Sequence, residues 1–272
     1  MRPRIGIAIT TYNRREQLLR LVHSLRQHCR DQVHLAVFDD GSSDGTAAAV
    51  APLVDAVLEA PNGGIPTNKN RALFYFLALQ PVDQLILLED DVVVTSPRWL
   101  RIWSRAIHRH GHINFSSTRW PRNNPAFHGK LLGGKGSARK PERWSIVSGA
   151  CSGCDTTVLR RDVGYVNPLF QGYGYEHIEW TRRFLLAGYG GRKRGDHRWS
   201  YLSIPHGLDF QPSQSNRDAE AIARNAGVMA QLQGAGGFVP RPWLDAEGRR
   251  AFLAPFAGWW GQQAGGQRLD QA

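Results

Sequence analysis

Three adjacent acids follow an apolar run in the stretch LILLEDDVVV, and their spacing indicates metal chemistry. Glu89, Asp90 and Asp91 come directly after Leu85–Leu88. Neighbouring carboxylates repel one another, so we expect a cation or a set of hydrogen-bond donors beside them. Carboxylate oxygens suit Mg²⁺ and Mn²⁺, whereas zinc sites use more His and Cys. The stretch therefore predicts either a divalent-cation site or a solvated strand end.

A second set of ionisable side chains stands at the start of a predicted helix, in the stretch QGYGYEHIEWTRRFLLAGY. Apolar and long side chains recur there with a period near 3.6 residues, from about Glu176 to Leu186. The helix dipole stabilises a carboxylate in the first turn. Taken alone, Glu176 is therefore a charge that caps the helix.

Short apolar strands alternate with amphipathic helices over the first hundred residues. The predicted strands are Arg4–Thr10, Val33–Phe38, Ala56–Glu59 and Gln84–Glu89. The predicted helices between them are Arg14–His28, Asp44–Val50 and Thr67–Leu79. A repeated order of strand, helix and strand predicts an α/β fold, in which helices flank a mostly parallel central sheet.

Each predicted strand ends in polar residues, which read TTYNR, DDGSSDGT, PNGG and EDD. Ligands of parallel sheets bind at the carboxyl ends of the strands, so these four ends outline a crevice. Taken alone, DDGSSDGT is also a plain turn followed by a helix cap. The sequence contains no GxxxxGK[ST] phosphate loop, and no GxGxxG fingerprint follows the first strand, which argues against P-loop and dinucleotide-binding enzymes.

Four motifs together carry a family resemblance. ITTYNR, VFDDGSSDGT, NGGIPTNKNRAL and LILLEDDV resemble, in order and spacing, the nucleotide-binding half of family 2 glycosyltransferases with the GT-A fold. The resemblance covers about Arg4 to Trp103. It implies a Rossmann-like GT-A sheet and an enzyme that moves a sugar from a nucleotide-sugar donor to an acceptor hydroxyl. It also implies a divalent cation, Mn²⁺ or Mg²⁺, and a UDP-sugar is the favoured donor.

The resemblance assigns roles to individual residues of the donor site. Thr10 and Tyr12 would line the nucleotide pocket. Asp40 would accept a hydrogen bond from the base, and Arg71 would hold the base or the diphosphate. Asp90 would lie near the ribose.

The same resemblance implies a metal site built on the acidic stretch. EDD resembles the DxD motif of the family, with Asp91 binding the ion and Glu89 standing where Asp is usual. His206 follows the predicted strand Trp199–Ile204. In several GT-A enzymes a histidine in a comparable late position completes the metal site. A histidine that is hydrogen-bonded within a loop is the alternative for His206.

The stretch GYGYEH resembles the GWGxED region of inverting GT-A enzymes, in which a carboxylate at the helix start deprotonates the acceptor hydroxyl. In this sequence His177 follows Glu176 where Asp is usual. We expect Glu176 to be the catalytic base, with Glu179 and then His177 as the alternatives. A base at this place implies a single displacement that inverts the configuration of the sugar.

The net charge of +11 lies entirely in the middle third of the chain. Residues 101–200 contain 18 basic and 6 acidic side chains, whereas the residues before them contain 10 and 11 and those after them 6 and 6. Much of the excess falls in the aperiodic segment 117–144, which we expect to be a mobile basic loop. Such asymmetry indicates an anionic partner rather than a fold.

Aromatic side chains lie among these charges, namely Trp120, Phe127 and Trp144. Basic and aromatic side chains together suit phosphate contact and base stacking. We therefore expect a polyanionic acceptor, either nucleic acid with a hydroxylated base or a phosphorylated glycan or lipopolysaccharide. A noncatalytic module that binds nucleotides and polyanions, including DNA, is the alternative function.

Three segments follow from these patterns. Residues 1–110 form the nucleotide-sugar half, residues 111–235 the acceptor and catalytic half, and residues 236–272 an extension whose end is disordered. Three cysteines are too few for a disulfide framework, and no apolar run reaches the length of a membrane span. We expect a cytoplasmic protein. The sequence leaves the oligomeric state open.

Overall fold

The computed structural model describes residues 2–29, 33–117, 119, 127–195, 198–211 and 218–258. The strands are β1 (Ile5–Thr11), β2 (Val33–Asp39), β3 (Ala56–Glu59), β4 (Gln84–Glu89), β5 (Val92–Val94), β6 (His112–Phe115), β7 (Leu131–Gly133), β8 (Glu142–Trp144), β9 (Cys151–Asp155), β10 (Gly191–Arg194), β11 (Arg198–Ile204) and β12 (Leu208–Phe210). The helices are α1 (Arg15–His28), α2 (Thr46–Val50), α3 (Gly64–Phe74), α4 (Trp99–His110), α5 (Thr156–Val158), α6 (Glu176–Leu186), α7 (Ala219–Gln231) and α8 (Ala246–Leu253).

The described strands build one sheet of ten strands, in the order β3-β2-β1-β4-β9-β6-β11-β8-β7 with β10 beside β11. β3, β2, β1 and β4 are parallel neighbours, and α1, α2 and α3 connect them. This confirms the predicted α/β class with a mostly parallel central sheet. The four polar strand ends lie along one edge of the sheet, as parallel pairing requires.

The first strand is buried on both faces, which is why its sequence is a nearly continuous apolar run. Ile7 and Ile9 belong to the core on the α1 side of the sheet. Ala8 belongs to the core on the α3 side. Gly6 leaves room for Phe76, because an added Cβ would lie 2.5 Å from that ring. The strand ends that carry the site therefore project from a rigid support.

The chain reverses its direction at β9, which lies between β4 and β6 and is antiparallel to both. As a consequence β6 runs parallel to β4, and β11 runs parallel to β6. The carboxyl ends of all three strands reach the same edge of the sheet. Cys151 and Cys154 are buried free thiols on β9, which agrees with the absence of a disulfide framework.

The basic segment 117–144 is not a continuous loop, because β7 and β8 form an antiparallel hairpin within it. β8 also pairs with β11, placing Trp144 opposite Tyr201. Trp144 is buried, and its indole N–H donates to Glu142 at 2.7 Å. The predicted loop is therefore wrong for this hairpin, because strands of three residues, Leu131–Gly133 and Glu142–Trp144, are too short to show a strand period. Trp120 lies outside the described residues.

A small second sheet, formed by β5 and β12, holds the turn that carries the acids. The backbone N–H of Gln211 donates to the carbonyl oxygen of Asp91 at 2.7 Å. The side-chain amide of Gln211 donates to the carbonyl oxygens of Asp90 and Val92 at 3.0 and 2.9 Å. Three consecutive carbonyl groups are thus fixed by one buried residue.

The last two helices begin at aspartate caps. Asp218 accepts a hydrogen bond from the N–H of Ala221, and Asp245 accepts one from the N–H of Gly248. None of the helices in the described ranges is both long and apolar enough to cross a bilayer. The predicted disorder at the end of the chain falls on residues 259–272, which lie outside the described part.

Candidate active site

Asp40 follows β2, and three donors hold its carboxylate. Nη1 of Arg71 lies 2.7 Å from Oδ1, and the backbone N–H groups of Gly63 and Gly64 each donate to the carboxylate at 2.9 Å. Arg71 also donates to the carbonyl oxygen of Pro61 at 2.9 Å. The structure thus brings two predicted nucleotide-site residues together as a buried ion pair at the start of α3.

The other predicted residues of this pocket, Thr10 and Tyr12, lie on either side of Thr11 at the end of β1. Tyr12 is 49% exposed at the strand edge, where it is open to a ligand. Thr10 is half-buried and borders a small enclosed space together with Lys69 and Glu89. Tyr12 lies beyond the last residue of β1, so the rule that successive side chains of a strand point to opposite faces does not fix its direction relative to Thr10. The structure therefore directs Thr10 toward the interior and leaves Tyr12 at the surface.

Asp90 is buried and held by two donors from the first strand and the loop after it. The hydroxyl of Thr11 donates to Oδ2 at 2.7 Å, and Nη1 of Arg14 lies 3.2 Å from Oδ1. Burial raises the pKa of Asp90 to about 6, although Thr11 and Arg14 lower it. The carboxylate of Asp90, one of the three adjacent acids, is therefore held by donors of the protein without a metal ion.

Asp91 is different, because its Oδ1 is buried and has no hydrogen-bond partner among the described residues. Burial, together with the charges of Glu89 and Asp90, raises the pKa of Asp91 to about 7. A buried acceptor without a donor is costly unless a ligand supplies the missing interaction. A cation beside Oδ1 would satisfy this oxygen, so the residue present fits a divalent ion.

His206 precedes β12, and its Nε2 is buried without a hydrogen-bond partner in the described chain. β12 runs antiparallel to β5 with Leu208 opposite Val94, so that Gln211 rather than His206 lies beside Asp91. In the described part of the chain, no three His, Cys, Asp or Glu side chains converge as a metal-binding group. The register places Gln211 beside Asp91, and the role of His206 at the ion stays a prediction.

Lys69 is a buried cation that joins the two halves of the site. Its Nζ lies 2.9 Å from Oε1 of Glu89 and 3.1 Å from Oε1 of Glu176. Burial opposes the charge of Lys69, but the two carboxylates outweigh burial and raise its pKa. Lys69 therefore supplies a positive charge of the kind that we expect beside the three adjacent acids. The predicted metal ligand Glu89 is therefore already paired with a cation of the protein.

Glu176 and His177 open α6 as predicted, and their side chains are in contact. Nδ1 of His177 lies 3.3 Å from Oε1 of Glu176, the same oxygen that Lys69 approaches. The Glu176 side chain is 3% exposed, whereas that of His177 is 23% exposed. Tyr175 precedes the helix with a left-handed backbone, φ 72°. The chain thus turns sharply and directs both side chains inward at the helix start.

Glu179 lies one turn further along α6, and the structure removes it from the candidate bases. Its carboxylate forms an ion pair with Arg183, with Nε at 2.9 Å from Oε1. The backbone N–H of Gly236 donates to the same carboxylate at 2.9 Å. Glu179 is fully buried and does not line the cavity at the site. Its role is structural, because no substrate hydroxyl can reach it.

A cavity of about 330 Å³ lies between the two groups of ionisable residues. Glu89 and Asp91 line it from the nucleotide-binding half, and Glu176 and His177 line it from the other half. Gly149 borders it as well, and a Cβ added there would lie 3.2 Å from both Glu89 and His177. The glycine therefore keeps the space between the two groups open.

Sequence reasoning missed Lys69, Arg14 and Thr11 as partners of the acids. Arg14 and Thr11 stand within the TTYNR motif, where only their neighbours received roles. Lys69 stands in TNKNRAL, two residues before Arg71, on a helix that presents both side chains toward the strand ends. The expectation of a cation beside the acids was correct, but which cation depends on packing between distant segments.

The architecture and the site define an α/β enzyme whose ligand binds at the carboxyl edge of a parallel sheet. The family model described as Glycosyl transferase family 2 matches residues 6–162, more than half of the chain. The chain belongs to this family and is a glycosyltransferase that uses nucleotide sugars. A comparison with curated protein sequences gives no match.

Solved structures share the GT-A fold at low sequence identity. A mannosyltransferase from Pyrobaculum calidifontis in complex with GDP-Man and Mn²⁺ is 16% identical, with a TM-score of 0.55 over 98% of this chain and 77% of that chain. S. aureus TarS 1–349 in complex with UDP-GlcNAc is 13% identical, with a TM-score of 0.55 over the same shares. Glucosyl-3-phosphoglycerate synthase from Mycobacterium tuberculosis with Mn²⁺ and UDP is 15% identical, with a TM-score of 0.53 over 86% and 80%.

Proposed function

We propose that this glycosyltransferase inverts the configuration of the transferred sugar and uses a divalent cation, with the reaction taking place in the cavity between Asp91 and α6. The observation that carries the proposal is that one cavity is lined by acids at the end of β4 and by Glu176 and His177 at the start of α6. A cation and a proton acceptor on opposite sides of one space suit a single displacement.

Asp91 would hold the cation, Mn²⁺ or Mg²⁺. Its buried Oδ1 without a partner supports this role, and one or two carboxylates plus the oxygens of a diphosphate are a usual ligand set for such ions. When bound, the ion neutralises the charge that develops on the departing nucleoside diphosphate. Glu89 would retain Lys69 at the site rather than complete the ion's ligands.

The donor would bind along the ends of β1, β2 and β4. Tyr12 is open to stack on a base, and the ion pair of Asp40 and Arg71 borders the same edge. Asp90 would approach the ribose from its place beside Thr11. The similar structures hold nucleotides of both kinds, UDP-GlcNAc in TarS, UDP in the Mycobacterium tuberculosis synthase and GDP-Man in the Pyrobaculum calidifontis enzyme, and a UDP-sugar is the donor that the motif resemblance favours.

The acceptor would be anionic. The hairpin of β7 and β8 leads away from the cavity, since Phe127 before it and Val147 after it both line that space. The exposed basic side chains of this hairpin segment are Lys130, Lys135, Arg139, Lys140 and Arg143. Trp144 is buried and cannot stack on a nucleic-acid base. A phosphorylated glycan is therefore a better fit than DNA.

The proposal is tested with a panel of UDP- and GDP-sugars, measuring donor hydrolysis and transfer with Mn²⁺ and with EDTA. We expect turnover of at least one donor with Mn²⁺, loss of turnover in EDTA, and a product of inverted anomeric configuration by NMR. Turnover that is unchanged in EDTA would contradict the role of the ion. A product with retained configuration would contradict the single displacement.

A further inference from the structure

The two residues at the start of α6 differ in what can reach them. The carboxylate of Glu176 is almost completely enclosed, and its Oε2 is buried without a partner in the described chain. Its Oε1 is shared by Lys69 and His177. The imidazole of His177 borders the cavity, and nearly a quarter of the side chain is exposed. An acceptor hydroxyl in the cavity therefore meets the imidazole before it meets the carboxylate.

The charges around Glu176 also make it a weak proton acceptor. Burial alone would raise the pKa of Glu176, but the charge of Lys69 and the hydrogen bonds from Lys69 and His177 hold that pKa well below its usual range. A general base works best when its pKa lies near the working pH. A carboxylate held by a buried ammonium group instead suits the orientation of a neighbouring imidazole.

We propose that Nε2 of His177 is the atom that accepts the proton of the acceptor hydroxyl, with Glu176 orienting the ring through Nδ1 and Lys69 holding the Glu176 carboxylate in place. This inference rests on the proposed transfer reaction and names the proton acceptor within it. It differs from the sequence-based expectation, in which Glu176 itself was the base. Geometry carries it, since only one of the two ring nitrogens contacts Glu176.

The proposed transfer conserves protons, bonds and electron pairs. The acceptor O–H bond breaks and its proton moves to Nε2, which had a lone pair because the ring proton sits on Nδ1 and donates to Glu176. The acceptor oxygen forms a bond to the anomeric carbon while the bond from that carbon to the diphosphate oxygen breaks. The electron pair of the broken bond leaves with the nucleoside diphosphate. The positive charge gained by His177 is stabilised by Glu176.

The tautomer of His177 can be observed without any substrate. Histidine side-chain nitrogen NMR on isotope-labelled protein reports which ring nitrogen carries the proton, and the signal is assigned by its loss in His177→Asn. We expect the proton on Nδ1 and a free Nε2, with this preference lost in Glu176→Gln. A proton fixed on Nε2 in the wild-type protein overturns the inference, even if the enzyme transfers sugar as proposed.

Chemical rescue tests the same atom during turnover. With UDP-glucose or GDP-mannose and Mn²⁺, His177→Ala should lower kcat by about 10²–10⁴-fold. Added imidazole should restore part of that loss, but not the loss in Glu176→Ala. His23→Ala, at an exposed position of α1, is the matched control and should retain full activity.

The opposite pattern identifies Glu176 as the base. In that case His177→Ala keeps most of its turnover, and formate or azide rescues Glu176→Ala. Folding of each variant is checked by thermal unfolding and by binding of UDP with Mn²⁺, which neither substitution should abolish. If the wild-type protein turns over no donor at all, the proposed reaction fails, whereas the NMR result still decides the tautomer of His177.

Discussion

The two halves of this enzyme build their parts of the site in different ways. In the nucleotide-binding half, polar groups lie at the ends of parallel strands, and two of them find partners at the same edge, Asp40 in Arg71 and Asp90 in Thr11. In the other half, Glu176 stands at the start of a helix and depends on Lys69, which is 107 residues away in the chain. The first arrangement follows from the topology of the sheet, and the second follows only from tertiary packing.

The two halves also differ in how their buried carboxylates are paired. Asp91 is left with an oxygen that no described residue satisfies, which is a feature of a ligand site rather than of a stable core. Glu179, one turn from the cavity, is fully paired with Arg183. We infer that neutralising Asp91 removes activity with little cost in stability, whereas breaking the pair of Glu179 costs stability first.

The largest effect on activity is expected from Asp91→Asn in the nucleotide-binding half. Loss of the ligand for the cation should lower turnover on the order of 10³-fold. The midpoint of thermal unfolding without metal should be equal or higher, because a crowded buried charge is removed. Glu59→Gln, at the exposed end of β3 on the same edge, is the control. Near wild-type turnover in Asp91→Asn would place the cation elsewhere.

The matching change in the other half is Arg183→Met, which should act on stability. It leaves the Glu179 carboxylate buried without its cation, and breaking such a pair costs about 3–5 kcal/mol. Urea unfolding measures this loss in the free energy of unfolding. Arg105→Met, at an exposed position of α4, should change the free energy of unfolding by at most about 0.5 kcal/mol. A loss of similar size in both variants would mean that the buried ion pair contributes little.

Sequence patterns predicted the nucleotide-binding half almost completely. β3 and β4 have the predicted bounds, β1 is shifted by one residue, and β2 extends one residue further than expected. These strands are apolar runs bounded by turn residues, so the information is local. The edge at which their polar ends meet follows from parallel pairing alone.

The second half of the chain was predicted less well, for physical reasons that particular residues illustrate. The strand β8 was missed because three residues give no usable periodicity, and its pairing depends on Tyr201, far along the chain. The register of β12 against β5, which sets Gln211 beside Asp91, depends on both segments and cannot be predicted from either one alone. Glu176 and Glu179 look alike in the sequence, and only burial beside Arg183 separates them.

The acidic edge should also give the metal-free protein a particular dependence on pH. The pKa values of Asp90 and Asp91 are raised to about 6 and about 7 from an ordinary 3.8. Between pH 4 and 7, roughly, the folded protein then binds more protons at these groups than the unfolded chain, so stability falls as the pH rises and levels off above about 7.

Thermal unfolding of the metal-free protein across this pH range measures that slope. Mn²⁺ should raise the unfolding midpoint more at about pH 8 than at about pH 5, because the ion competes with protons for the same carboxylates. Asp91→Asn should flatten the slope and reduce the effect of Mn²⁺. Stability that rises between pH 5 and 7 in the wild-type protein but not in Asp91→Asn would contradict the assigned direction.

The smallest effect is expected at the hairpin of β7 and β8. Changes there test whether its exposed charges attract the acceptor at long range. Replacing Lys130, Lys135 and Arg139 by Gln removes three exposed charges from the hairpin segment that leads away from the cavity. Exposed charges act on encounter and are screened by salt, so KM for a phosphorylated oligosaccharide should rise only a few-fold while kcat stays unchanged.

The matched control removes the same charge from another exposed surface, by replacing the exposed residues Arg98, Arg101 and Arg105 of the α4 region with Gln. KM is measured for both triple variants at low and at high salt, with a neutral oligosaccharide in parallel. An effect confined to the hairpin, to the anionic acceptor and to low salt follows from local attraction of phosphate groups. An equal rise in both variants would mean that net charge alone matters, and the hairpin would then have no part in selecting the acceptor.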